Sequence, residues 1–223
     1  MTFSIVGTDG NGRFGVAVSS SSPAVAARCA HLRDGVGAVS TQNITDPRLG
    51  RLLLDRIEQG ASARAALNAI ALEVPSVDYR QLVVLDSQGG SAVFSGAHTL
   101  GTYAQGRGSK SAAAGNMLAD PTVAQAMCDA FEASTGELEL RFLAALRAAL
   151  AAGGEVGPVR SAGMSIVSGH GWRDTDLRVD WHDDPVSELE RVLQVWLPQR
   201  EDYVVRALDP ASSAGYGVPG DDR

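Results

Sequence analysis

The chain opens Met1-Thr2-Phe3-Ser4-Ile5-Val6-Gly7, and Thr2 is the place where one residue could combine two catalytic roles. A small residue after an initiator methionine suits removal of that methionine by a cellular aminopeptidase, which would leave Thr2 with a free α-amine beside its hydroxyl. An α-amine titrates near neutrality, at a pKa of roughly 7.7, so its unprotonated form can take the hydroxyl proton directly or through water. A serine or threonine inside a chain must borrow a histidine or lysine for that step. The chemistry implied is acyl transfer: Thr2 attacks an amide carbonyl, its α-amine accepts and returns the proton, and the acyl-threonine ester is then hydrolysed. Taken alone, a threonine at this position is more simply the start of a strand, so the rest of the chain has to decide.

Other polar residues could complete such a site. An antiparallel hairpin can bring Ser20 or Thr41 near the Thr2 end, and Asn43 or Asn116 could present an amide N–H to a developing oxyanion, the interaction that most lowers an acyl-transfer barrier. Each of these four also suits a structural turn or cap. Asp176, Arg178 and Asp180 alternate, which places them on one face of a strand. The arginine could hold a substrate carboxylate or support the site, or the three could form a structural ion-pair network.

Several other chemistries are disfavoured. His182-Asp183-Asp184 matches neither a calcium loop nor a zinc helix, so no metal is expected, and the two aspartates suit a helix start. Gly163-Met164-Ser165-Ile166-Val167 has its serine flanked wrongly for a nucleophile elbow. The glycines at 101, 106 and 108 with Lys110-Ser111 lack phosphate-loop spacing. Cys29 and Cys128 are far apart and in no CxxC pair, which argues against a disulfide scaffold or structural zinc and for buried free thiols. The expectation is a small-molecule substrate and no cofactor.

The chain has 223 residues, 44% of them hydrophobic, enough for one domain with a substantial core. The reading is a single domain over 1–208 and a flexible tail over 209–223, where Pro, Gly, Ser and Asp accumulate. A net charge of -7 and a pI near 5.0 disfavour nucleic acid and anionic membranes as partners. No run has the roughly 20 apolar residues of a membrane span, and no signal-peptide pattern opens the chain, so a cytoplasmic location is expected.

The elements that must position these residues follow from pattern. Phe3 to Gly7 and Phe14 to Ser19 read as strands of a hairpin around Thr8-Asp9-Gly10-Asn11-Gly12-Arg13, since Asp-Gly and Asn-Gly tolerate positive φ. Ala24 to Leu32 is a short helix or loop, and Gly35 to Thr41 a strand. Leu49 to Gln59 and Ala63 to Glu73 read as helices, the second capped by Ser62. Arg80 to Asp86 and Ser91 to Ser95 form a second hairpin, and Tyr103 to Arg107 with Ser111 to Gly115 two more short strands. Helices over Pro121 to Ala133 and Glu139 to Ala151 precede strands over Ser161 to Ser168 and Asp176 to Trp181, then a helix over Val186 to Val195. Hairpins separated by blocks of helices fit a layered α/β (α+β) protein, two sheets face to face with helices outside.

The motifs themselves carry a resemblance. Thr2-Phe3-Ser4-Ile5-Val6, Gly15-Val16-Ala17-Val18, Gly35-Val36-Gly37-Ala38-Val39 with Thr41-Gln42, and Asp46-Pro47-Arg48 resemble a bacterial family catalogued as domain of unknown function 1028. Gly115-Asn116-Met117-Leu118, Arg160-Ser161-Ala162 and Asp176-Leu177-Arg178-Val179-Asp180 with His182 and Asp184-Pro185 resemble its later motifs, so the likeness spans most of residues 2 to 195. That family is similar in fold to the N-terminal nucleophile hydrolases, which include proteasome β-subunits and several amidases. The resemblance implies a four-layer αββα sandwich with Thr2 as nucleophile at the open end of the first strand. The activity implied is hydrolysis of an amide bond of a small nitrogenous metabolite or peptide. The alternative is a catalytically inactive member that binds a metabolite or a partner protein. Outer helices of such sandwiches often pack against copies of themselves, so a homo-oligomer is expected. Proteasome-like sites carry an acidic residue near the end of the second strand and a lysine near the third. This chain offers Ser19, Ser20 and Ser21, then Thr41, Gln42 and Asn43, at those places.

Overall fold

A computed structural model describes residues 1–221 of the chain. Two antiparallel hairpin strands, β1 (Thr2–Thr8) and β2 (Phe14–Ser20), form its centre, and every residue of both is buried. The turn between them is built as its sequence demands: the Asp9 carboxylate accepts from the N–H groups of Asn11 and Arg13 at 2.7 and 3.2 Å, while Gly10 and Gly12 take positive φ. Phe3 then pairs with Ser19 and Thr8 with Phe14. Because side chains alternate across a strand, Phe3 and Ile5 enter one core while Val6 and Val16 enter another.

After β2 come helix α1 (Val25–Cys29) and strands β3 (Ala30–Arg33) and β4 (Gly37–Asn43). Helices α2 (Arg48–Glu58) and α3 (Ala63–Glu73) lead into the hairpin of β5 (Arg80–Asp86) and β6 (Ser91–Ser95). Strands β7 (Ala104–Arg107) and β8 (Ser111–Asn116) precede helices α4 (Val123–Ala133) and α5 (Leu138–Ala151). Strands β9 (Ser161–Val167) and β10 (Arg173–Val179) and helices α6 (Pro185–Trp196) and α7 (Arg200–Leu208) complete the chain.

The strands form a six-stranded sheet, ordered β10-β9-β2-β1-β8-β7, and a four-stranded sheet, ordered β3-β4-β5-β6, with all strand pairs antiparallel. Helices α4, α5 and α6 cover the outer face of the first through Phe131, Phe142, Leu146 and Leu189. Helices α2 and α3 cover the outer face of the second through Leu53, Leu67 and Ile70. Between the sheets lie Val6, Val16, Ala38, Val83, Leu85 and Ala114. The architecture is therefore a four-layer αββα sandwich. Among the described residues no helix is long and apolar enough to cross a membrane.

Three elements differ from the sequence reading. The segment expected to stay helix or loop to Leu32 turns into β3 at Ala30, because His31 and Leu32 pair with Val39 and Ala38 of β4. Past the expected last helix, α7 follows a 3-10 turn over Leu197–Gln199 and buries Val204. Strand β10 also starts earlier than expected and ends at Val179, leaving Trp181 outside it and exposed. Of the segment expected as a tail, residues 222 and 223 lie outside the described residues. In the part that is described, the Arg206 guanidinium lies 4.7 Å from the Tyr216 ring centre.

Candidate active site

Thr2 begins β1, opposite Asn116 of β8 and beside Ser20 at the end of β2. The alternation that sends Phe3 and Ile5 to the helices turns Thr2, Ser4 and Val6 into the space between the sheets. Thr2 Oγ1 and Ser20 Oγ are 3.2 Å apart. Both hydroxyls donate to the carbonyl oxygen of Met1, Thr2 at 2.5 Å. Ser22 N–H donates to Ser20 Oγ at 3.1 Å, so the serine keeps its own proton for the carbonyl. Two residues further along β1, the Ser4 hydroxyl is buried without a hydrogen-bond partner.

A carboxylate reaches this corner from elsewhere in the chain. Gly153 and Gly154 end α5 at positive φ, and the following residue, Glu155, bridges to Leu118 just past β8. Val156 N–H to Met117 O at 3.1 Å and Ala119 N–H to Gly154 O at 3.0 Å fix that bridge. The Glu155 oxygens accept from Ser21 N–H at 3.1 and 3.3 Å. Glu155 is only 5% exposed, and burial pushes its carboxyl up to about 7, against the pull of the amino terminus and the Ser21 hydrogen bonds. Among the described residues no Lys, Arg or His forms an ion pair with it. Two residues on, Gly157 faces the Met1 methyl, where an added Cβ would lie 3.6 Å from it.

Behind Thr2 an amide ladder joins the two sheets. Gln42 Nε2 donates to Gln81 Oε1 at 2.7 Å and to Ala114 O at 3.1 Å. Gln81 Nε2 donates to Gly115 O and Ser95 Oγ, both at 3.0 Å, and Asn116 Nδ2 donates to Gln81 Oε1 at 3.1 Å. All three amides are buried, where an unpaired polar group would cost several kcal/mol, roughly 2–7 by transfer from water. Backbone strain collects at the same end. The three non-glycine residues with positive φ among those described are Ala24, Asn43 and Met117, at 50°, 73° and 50°, and they follow β2, end β4 and follow β8 respectively. Strained residues of this kind cost about 1–3 kcal/mol each and cluster at functional sites.

The residues singled out in the sequence are distributed unevenly around Thr2. Ser20 is in hydrogen-bond contact with it. Asn116 is its cross-strand neighbour, with the side-chain amide committed to Gln81. Thr41 is turned the other way: Val39, two residues before it, belongs to the helix-side core, and its hydroxyl donates to Asp46 O at 3.2 Å. The β4 residue that enters the space between the sheets is Gln42. Asn43 ties loops together, donating to Tyr79 O at 2.7 Å and accepting from Leu100 N–H at 3.2 Å. Asp176 and Arg178 share one face of β10 and Asp180 follows its end, but β10 is the edge strand of the large sheet, and all three are exposed. Asp176 there accepts from Ser165 Oγ at 2.7 Å and pairs with Arg173 at 3.0 Å. Three intervening pairings at roughly 4.8 Å each put this row about 14 Å across the sheet from Thr2. His182 Nδ1 accepts from Asp184 N–H at 3.0 Å, and the Asp184 side chain caps α6 by accepting from Ser187 N–H at 3.2 Å. Both cysteines are buried free thiols, and burial pushes Cys128 up to about 11.

Sequence reasoning overlooked Glu155 and the Gln42–Gln81 pair. Glu155 carries no motif; the one local sign is a carboxylate placed between a Gly-Gly helix stop and Val156. The glutamines sit in strands read correctly, and their polar side chains on otherwise apolar strands were the available sign.

The family described as "Family of unknown function (DUF1028)" matches residues 2–189. The crystal structure of protein SPO2555 from Silicibacter pomeroyi, of that family, superposes with a TM-score of 0.81 at 30% identity, covering 87% of this chain and 88% of that one. Anbu (ancestral beta-subunit) from Yersinia bercovieri is aligned over 88% of this chain and 95% of its own at 10% identity, with a TM-score of 0.42, a likeness too low to carry an argument. No curated protein matches. Because the family model matches residues 2–189, most of the chain, the chain belongs to the DUF1028 family of unknown function.

Proposed function

We propose that the chain is an N-terminal nucleophile amidohydrolase that cleaves an amide bond of a small nitrogenous metabolite or peptide through an acyl-Thr2 intermediate. The reading rests on one observation: the hydroxyls of Thr2 and Ser20 converge on a single carbonyl oxygen, that of Met1. With Met1 in place, its carbonyl stands in for the carbonyl of a substrate acyl group. Once the methionine is removed, Thr2 Oγ1 is the attacking oxygen. The Thr2 α-amine accepts its proton and delivers it to the leaving amine. The Ser20 hydroxyl is then the donor facing the developing oxyanion, a role in which one hydrogen bond is worth roughly 10²–10³ in rate. Asn116 acts from behind, through the amide ladder, and the Asp176-Arg178-Asp180 row is left to surface ion pairing.

The test is intact mass of the purified chain, followed by assay of the wild type and Thr2→Ala on a panel of short amides and ureido compounds. The expected result is a chain lacking Met1, with hydrolysis that Thr2→Ala abolishes. Retained Met1, or turnover unchanged in Thr2→Ala, overturns the reading and leaves a non-catalytic binding protein of the same fold.

A further inference from the structure

The acidic and basic side chains that flank the nucleophile in proteasome-like sites are missing from the ends of β2 and β4, yet the corner around Thr2 is not without charge. Glu155 supplies a carboxylate from a different part of the chain. It is buried, it is held by the Ser21 N–H at the end of the strand that carries Ser20, and its backbone is bridged to the residue two beyond Asn116. The cation acting on it most strongly is the amino terminus of the chain. Removal of Met1 would move that amine inward by one residue, a Cα step of about 3.8 Å, onto Thr2 itself.

We propose that Glu155 is the proton partner of the processed amino terminus: directly or through one water it shares one proton with the Thr2 α-amine, and the form that acts on the Thr2 hydroxyl is the one in which Glu155 holds that proton beside a free amine. The inference rests on the Thr2 reading above and adds the group with which the amine shares its proton. The protons balance. Glu155 carboxylate and Thr2 ammonium become carboxylic acid and amine. As the bond from Thr2 Oγ1 to the substrate carbonyl carbon forms, the hydroxyl proton moves to the amine. As the substrate C–N bond breaks, that proton goes to the leaving nitrogen, restoring the amine. Water then attacks the ester, giving its proton to the amine and thence to Thr2 Oγ1 as the carboxylic acid product leaves. Throughout, Glu155 holds the proton it received.

The arrangement suits that role for two physical reasons. A carboxyl in ordinary solvent is far too acidic to accept a proton from an α-amine, since the two differ by more than 3 pKa units, roughly 4.3 against 7.7. Burial closes most of that gap and brings the two groups close to matching. A proton shared between matched groups titrates as a property of the pair, and the pair gives up its last proton at a higher pH than an isolated α-amine does.

The experiment reads the amine without a substrate. Processed protein, lacking Met1 by mass, is labelled with trace acetic anhydride from pH 5 to 10, and acetylation of the Thr2 α-amine is quantified by mass spectrometry for wild type, Glu155→Gln and Glu155→Asp. The apparent pKa of the wild-type amine is expected about one unit above the ordinary value of roughly 7.7, with Glu155→Gln returning to it and Glu155→Asp between. An infrared carboxylic-acid band titrating near neutrality should be present in wild type and absent from Glu155→Gln. Coincident labelling curves for wild type and Glu155→Gln overturn the proposal, and if Glu155→Gln does not fold, a Glu155→Asp curve equal to wild type with no such infrared band does so instead. The Thr2→Ala assay is separate: activity lost in Thr2→Ala with unshifted labelling sinks the role of Glu155 alone. A chain that keeps Met1 sinks both.

Discussion

Burying Glu155 without a cationic side chain should make the protein weaker as pH rises, whatever chemistry it performs. Its carboxyl stands at about 7 in the folded chain against an ordinary 4.5, a gap of about 2.5 pKa units. At about 1.36 kcal/mol per unit, the ionised carboxylate costs the fold on the order of 3 kcal/mol. The sign follows from proton binding: between the two values the folded state holds a proton that the unfolded state has released, so stability is full below pH 4.5 and declines until pH passes about 7. At pH 5.5 about 1.4 kcal/mol has already been lost, leaving about 2 kcal/mol to disappear by pH 8.5. Glutamine at this position can still accept from Ser21 N–H and has no charge to bury. The assay is urea unfolding of wild type and Glu155→Gln at pH 5.5 and 8.5, on protein whose first residue is Met1 by mass, as in the structure. Subtracting the variant removes every other titrating group, and the wild type should lose about 2 kcal/mol more than the variant over that interval. Profiles parallel to within about 0.5 kcal/mol would refute the reasoning, since that is the margin to which independent effects add.

Three further perturbations have defined outcomes. Gly106→Ala would place a Cβ 2.1 Å from the Ala124 carbonyl oxygen, where β7 runs against the backbone of α4; thermal unfolding should show a loss of about 1–3 kcal/mol or more, as overpacking against backbone does. Glu139 is fully buried and accepts from Arg13 at 2.8 Å, Arg200 at 2.9 Å and Thr175 Oγ1 at 2.8 Å. Glu139→Ala should cost about 3–5 kcal/mol in denaturant melts, the loss typical of removing one partner of a buried charge pair. Gln81→Leu removes the acceptor shared by Gln42 and Asn116, and two stranded amides should cost about 2–6 kcal/mol together, with hydrogen exchange rising at the Thr2 end of β1.

Legibility in the sequence tracked how local each determinant is. The Asp9–Gly12 turn and the Ser62 cap, whose Oγ accepts from Ala65 N–H at 3.2 Å, are decided within a few residues, and both were readable. Strand β3 was not, because its four residues follow α1 without a breaker and become a strand only by pairing with β4. Helix α7 was hidden by Pro198 and by a polar sequence that buries Val204 alone. The site shows the same division. Thr2 and Ser20 meet because a hairpin register brings them together, which spacing can reveal. Which of Thr41 and Gln42 turns inward is a matter of parity, and both faces of β4 are buried, so no polar alternation marks it. Glu155 lies 153 positions from Thr2 in the numbering and arrives only when α5 docks and its glycine stop folds back on β8, a purely tertiary event.

The amide ladder has a mechanical consequence. Gln42 and Gln81 belong to the small sheet, yet both clasp main-chain carbonyls of β8 in the large one, at Ala114 and Gly115. Apolar faces can slip past each other at little cost, whereas these side chains index one layer against the other like teeth in a rack, and a slip of a single residue would strip every one of them. The two layers are thus a fixed anvil beneath the connecting segments around Ala24 and Met117, where the backbone is bent away from its preferred angles.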